Sequence, residues 1–172
     1  MNLTLWRFIT VMLTALSMAT VFCHLMEMPA KLSIGGGLWL TLLQTLYPPT
    51  FGSFGAVFEV GALIATLVLA FLVRDRQPAF RWTMVALFCL VAAHAIFWTL
   101  IAPVNATLGP LTPETLPPDW SALRDRWEYS HATRAILELV ALGALVISML
   151  REIPREIPAR HHASRLRHDP LP

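Results

Sequence analysis

Cysteine is nearly absent from this chain. Cys23 and Cys89 are the only two, and both fall inside apolar runs. That excludes a disulfide framework and a CxxC metal site. Charge is scarce as well: 14% of the 172 residues are Asp, Glu, Lys or Arg, against 56% hydrophobic, at a mean hydropathy of +0.59. Such a composition excludes a soluble domain and describes one small integral membrane domain. No small-x-small cleavage site follows the first apolar run, and Phe22 spoils a lipoprotein-type site at Cys23. The run is therefore read as a retained helix and not as a signal peptide. Strict alternation over short segments is missing too, which excludes a β-barrel.

What is present is four long apolar runs, at about residues 8–28, 54–73, 82–102 and 132–150. Each is long enough to cross a bilayer as a helix. The expected fold is all-α: an integral membrane four-helix antiparallel bundle formed by residues 1–150, with a basic tail over 151–172. Pro29 is expected to close the first helix. The run LWLTLLQTLY is too short to span, so an outer-side interfacial helix is expected near Leu38–Tyr47. Asp119, after Pro117 and Pro118, is placed to cap a last helix running from Trp120 to Leu150. Arg7, three arginines in the loop 74–81 and five in the tail lie on one side of a four-span chain. The positive-inside rule then puts both termini in the cytoplasm. The tail lacks interleaved aromatics, so lipid headgroups are its expected partner and nucleic acid is not.

The polar residues inside the spans carry the functional signal. Trp127, His131, Arg134 and Glu138 follow one another at i, i+4, i+7 and i+11, one stripe of a helix. An ionisable residue within a membrane helix costs about 2.5–3.5 kcal/mol on insertion scales and marks a candidate site. Neutralisation of Arg134 by Glu138 accounts for two members of the stripe and leaves Trp127 and His131 unexplained. Elsewhere His24 and Glu27 share the outer end of the first span, Glu59 sits on a small-residue face of the second, and His94, Trp98 and Asn105 share a face of the third. At a rise of about 1.5 Å per residue, His24, Glu59, His94 and Glu138 all lie about 6–12 Å below the outer ends of their helices. The inner halves hold almost no ionisable group. The expectation is a polar pocket in the outer half of the bundle.

Imidazole and carboxylate suit zinc, copper or non-haem iron, which makes His24, Glu59, His94 and His131 a candidate metal set. No HExxH and no paired ExxH element is present to support it. The alternative is a metal-free pocket in which a His–Glu or His–Arg pair moves a proton of a bound molecule.

Pro103-Val104-Asn105 with Leu108, followed 22 residues after the asparagine by Trp127-x-x-x-His131-x-x-Arg134, resembles a family of small four-helix membrane proteins. Its best-described members are anthrone oxygenases, which convert polyketide anthrones to anthraquinones. Pro29 matches a proline shortly after the family's first span. The resemblance implies an oxidoreductase, in kind a monooxygenase, whose site is lined by Asn105, Trp127, His131 and Arg134. Its expected partner, besides the bilayer, is a lipophilic aromatic or quinone-like molecule; its cofactor is either none or iron or copper. Taken together with the depth argument, which alone brings in Glu138, Glu59 and His94, this makes His131, Arg134, Asn105 and Glu138 the expected catalytic residues, with His131 held by Glu138 or Glu59. Trp127, Trp98, His94 and Glu59 are the expected substrate contacts. The competing class is a non-enzymatic membrane protein, either a metal or small-molecule binder or a subunit of a larger complex, and homo-oligomerisation is compatible with both.

Overall fold

A computed structural model describes residues 2–152, without the side chains of residues 48–50. The expected tail therefore lies, after residue 152, outside the described residues. The chain is all-helical: α1 (Leu3–Ser33), α2 (Gly36–Leu46), α3 (Ser53–Leu72), α4 (Gln77–Ile96), α5 (Ala102–Leu108) and α6 (Trp120–Leu150). Two π-helical turns join them, Tyr47–Gly52 before α3 and Phe97–Ile101 between α4 and α5. Among the described residues there is no strand, and four helical stretches are long and apolar enough to cross a membrane. These are α1, α3, the run Gln77–Leu108, and α6.

Packing places the helices around the bundle in the order α1, α3, α4, α6. Their directions alternate. Arg7 near the start of α1, Arg76 in the α3–α4 turn and Glu152 just past α6 meet at one end. Lys31 near the end of α1 meets Glu128 near the start of α6 at the other. The expected four-helix bundle is what forms.

The faces turned inward are polar or small, because lipid already satisfies the apolar ones. On α1 the buried positions are Thr10, Thr14, Ser17, Val21, His24 and Lys31. On α6 the stripe Trp127, His131, Arg134, Glu138, Ala141, Leu145 and Ser148 steps alternately by four and three residues and is buried throughout. That period keeps one seam facing its neighbours down the length of the helix. Toward the Arg7 end the seam is filled by alanines 62, 79, 86, 141 and 144 with Leu69, Leu90 and Leu145. Small residues let the backbones approach closely. Hydroxyls complete the polar pairing there: Thr83 Oγ1 lies 3.0 Å from Ser148 Oγ, Ser148 donates to the Ala79 carbonyl at 2.9 Å, and Thr10 reaches the Ala65 carbonyl at 3.3 Å.

At the other end α2 lies over the bundle, burying Trp39, Leu40 and Leu43 against Ile101, Val104, Leu108 and Trp127. Gly36 makes this approach. A Cβ there would stand 2.7 Å from the Trp120 ring. The Gln44 amide donates to the Leu108 and Leu111 carbonyls at 3.1 and 2.9 Å, satisfying acceptors that the end of α5 leaves open.

Three local expectations are corrected. Pro29 does not close α1, which runs on to Ser33. A proline inside a helix loses one hydrogen bond, but Lys31 is tied to Glu128 at 3.0 Å and the Leu32 carbonyl accepts from Arg124 at 3.0 Å, so the last turn is held from outside. Asp119 does stand at the N-cap position of α6, yet its side chain makes no capping hydrogen bond. The third span does not end near Ala102. It passes through the π-helical turn and continues as α5, so Asn105 lies on a helix.

Candidate functional site

A cavity of about 440 Å³ opens in the half of the bundle covered by α2. His24, Glu59, His94, Trp98, Asn105, Trp127, His131 and Arg134 all line it. Of the expected site residues Glu138 alone does not. It is fully buried one turn beyond Arg134, where Ser17 of α1 donates to it at 2.6 Å.

An aromatic group forms one wall. The His24 and His131 ring centres are 4.2 Å apart, and Trp127 lies 4.2 Å from His131 and 5.0 Å from His24. Tyr47 stacks beside His24 at 4.6 Å. The four rings come from three elements: His24 from α1, Tyr47 from the turn after α2, Trp127 and His131 from successive turns of α6. Neither imidazole makes a hydrogen bond among the described residues, and the Nδ1 atoms of both are buried without a partner. The Trp127 indole donates to Asn105 Oδ1 at 2.8 Å, which fixes the tryptophan and points the asparagine inward from α5.

A chain of polar contacts forms the opposite wall. The Trp98 indole donates to His94 Nε2 at 3.0 Å, and His94 Nδ1 lies 3.2 Å from Glu59 Oε1. Because Nε2 accepts, Nδ1 carries the proton and donates to Glu59. The other Glu59 oxygen accepts from Arg134 at 2.8 Å. Arg134 Nε has no hydrogen-bond partner among the described residues. Trp98 is 61% exposed and Val60 44% exposed, yet both line the cavity. The cavity therefore reaches the outer surface of the bundle between α3 and the second π-helical turn.

Above the aromatic wall sits a charged cluster that the sequence did not reveal. Lys31 is buried, 3.0 Å from Glu128 and 3.6 Å from Glu27, with its ammonium 4.8 Å from the Trp127 ring centre and 5.0 Å from that of Tyr47. Glu128 also accepts from the Trp39 indole at 3.1 Å, and Glu27 accepts from the Tyr47 hydroxyl. Two helix-end carboxylates thus hold the α2 segment down as a roof. Burial and the Glu27 carboxylate push the Tyr47 phenol far above its ordinary range, so it stays a neutral donor. Lys31 went unrecognised because Pro29 suggested a helix end; continuing the helix puts His24, Glu27 and Lys31 at i, i+3 and i+7.

Two expected arrangements do not form. His131 is held by rings and not by Glu59 or Glu138: Glu59 is taken by Arg134 and His94, and Glu138 by Ser17, with Arg134 at 3.6 Å. The candidate metal set splits into His24 with His131 and Glu59 with His94. Among the described residues no three His, Cys, Asp or Glu side chains gather where they could hold an ion. The guanidinium between the two pairs opposes a cation further, so the residues present do not fit a metal centre.

No curated protein and no solved structure matches the chain. The family model described as anthrone oxygenase does, over residues 48–144, a stretch that takes in Glu59, His94, Asn105, Trp127, His131 and Arg134 but leaves α1 and α2 outside. With more than half of its length so matched and its helices arranged as a membrane bundle, the chain belongs to the anthrone oxygenase family.

Proposed function

We propose that this protein is a membrane oxygenase that takes a planar, lipophilic aromatic substrate of the anthrone kind from the bilayer and returns a quinone. In this reading residues 1–150 are the membrane domain, 151–172 a basic tail, and both termini are cytoplasmic, so the cavity lies in the outer half of the bilayer. One observation carries the proposal: an aromatic-walled cavity of about 440 Å³ brings two imidazoles without hydrogen bonds and one arginine together. Its volume is in the range of small-molecule sites, which run roughly 300–1,000 Å³.

The chemistry follows from the substrate class. An anthrone carries a methylene group between two aryl rings, opposite a ketone. Removing one methylene proton moves negative charge onto the ketone oxygen. His131 is the base, and Arg134, held in place by Glu59, is the cationic donor to that oxyanion. A guanidinium in a dry site stabilises such a charge strongly. Trp127, fixed by Asn105, and Trp98 supply the flat walls. In the full reaction dioxygen accepts four electrons from the methylene carbon; one oxygen atom remains as the new carbonyl and the other leaves as water.

The test is purified protein in lipid nanodiscs with 1,8-dihydroxy-9-anthrone, followed by oxygen uptake and quinone absorbance. Quinone should form in proportion to protein. His131→Ala should abolish the catalysed rate while the bundle still purifies as a folded species, and Arg134→Lys should lose most of it. A fully active His131→Ala protein ends the proposal.

A further inference from the structure

His24 has no role in the scheme above and lies outside the matched stretch, yet it is placed like His131. It is buried, it lines the same cavity, it makes no hydrogen bond among the described residues, and its ring stands 4.2 Å from that of His131. A pair of buried imidazoles without hydrogen bonds among the described residues calls for a use. The Lys31 cluster, Glu59 and Glu138 all have polar partners; these two rings have only aromatic neighbours and the cavity.

We infer that His24 is the second acid–base residue of the site, taking the second methylene proton after His131 has taken the first. The inference rests on the oxygenase reading. The two hydrogens leave the same carbon in successive steps, one from each side of the ring plane. A planar molecule presented edge-on to the wall has one hydrogen on each side, and two rings side by side at 4.2 Å offer one acceptor to each. In the first step His131 takes a proton and the C–H electron pair passes into the enolate. Dioxygen then bonds to that carbon through this pair, and its outer oxygen takes the proton from His131, giving a hydroperoxide. In the last step His24 takes the remaining proton on the carbon, and that C–H pair forms the carbonyl π bond. The O–O bond breaks as this happens. Hydroxide leaves with the O–O pair and takes the proton from His24, forming water. Both imidazoles end neutral, and no reductant is consumed.

The two roles separate in two measurements on full-length protein with 1,8-dihydroxy-9-anthrone. Exchange of methylene hydrogen with deuterium oxide, without oxygen, reads the first proton removal alone; quinone formation in air reads both. His131→Gln should lose both. His24→Gln should keep exchange within about twofold of the unmodified protein, yet form quinone about 100-fold more slowly, the scale of a lost acid–base group, while hydroperoxide accumulates. His24→Phe keeps a ring against Tyr47 and Trp127 and should behave alike, which guards against a folding defect in the glutamine variant. Quinone at the unmodified rate from either His24 variant overturns the inference. So does a loss of exchange in step with the loss of quinone. If the unmodified protein neither exchanges nor oxidises the anthrone, the oxygenase reading itself has failed and takes this inference with it.

Discussion

The two halves of the bundle are built from the same four spans and solve opposite problems. Toward the Arg7 end, alanines and hydroxyls bring the backbones together: inside the bundle Thr10, Thr83 and Ser148 bond to carbonyls or to each other, and Arg7, Arg76 and Glu152 pair only at its edge. Toward the roof, long ionisable side chains from α1, α3, α4 and α6 hold the helices around a space. Small side chains leave nothing to move and nothing to bind. Charged side chains that pair across helices, such as Glu59 with Arg134, prop the walls apart and leave room between them. The contrast sets close packing in one half against paired charges around a cavity in the other.

The largest test of that contrast is Glu59→Ala. Arg134 then keeps only Glu138, at 3.6 Å, as a counter-charge, and losing its closer buried partner should cost up to about 3–5 kcal/mol, seen as a lower unfolding temperature in detergent together with lost activity. Glu59→Ala combined with Arg134→Leu should recover most of the stability and none of the activity. A single variant as stable as the unmodified protein would mean that the pair does not hold the wall. A smaller effect is expected at Gly36→Leu, where the new side chain runs into the Trp120 ring. Overpacking of this kind costs about 1–3 kcal/mol, and because α2 is the roof, substrate affinity should weaken with it. The smallest is Thr83→Ala, toward the Arg7 end. Hydrogen bonds between membrane helices are worth about 0.6 kcal/mol on average, so thermal unfolding should shift only slightly and the rate of quinone formation should not change. A Thr83→Ala protein that is stable but inactive would break the division between the halves.

How much of this was legible in the sequence follows the same division. The α6 stripe declared itself, since a tryptophan, a histidine, an arginine and a glutamate at steps of four, three and four have one geometric meaning. Clustering at one end was legible from depth alone. Pairing was not. Arg134 has a carboxylate neighbour on its own helix in Glu138, yet it bonds Glu59 at 2.8 Å and leaves Glu138 at 3.6 Å, and Ser17 of α1 takes that partner instead. Choices between partners on different helices depend on helix rotation, which no single-helix periodicity carries. Lys31 was hidden by a proline that breaks most helices but not one whose end is tethered, and Tyr47 by a run too short to look like part of a site.

Rotation is also the meaning of the second π-helical turn. Here the Ala102 amide bonds to the Phe97 carbonyl, five residues back, so one residue more than usual is held in a turn. Pro103 then offers no amide to the Thr99 carbonyl, and Arg126 of α6 donates to it at 3.1 Å. Each residue of a helix advances the face by about 100°, so the wide turn works as a frameshift in side-chain direction. Everything before it, including His94, is read in one angular frame, and everything after it, Asn105 above all, in another. Deleting one residue between 97 and 101 would restore an ordinary helix and swing Asn105 away from Trp127 without changing either residue. The stretch Pro103–Leu108 is therefore a message whose sense depends on the spacing just upstream of it.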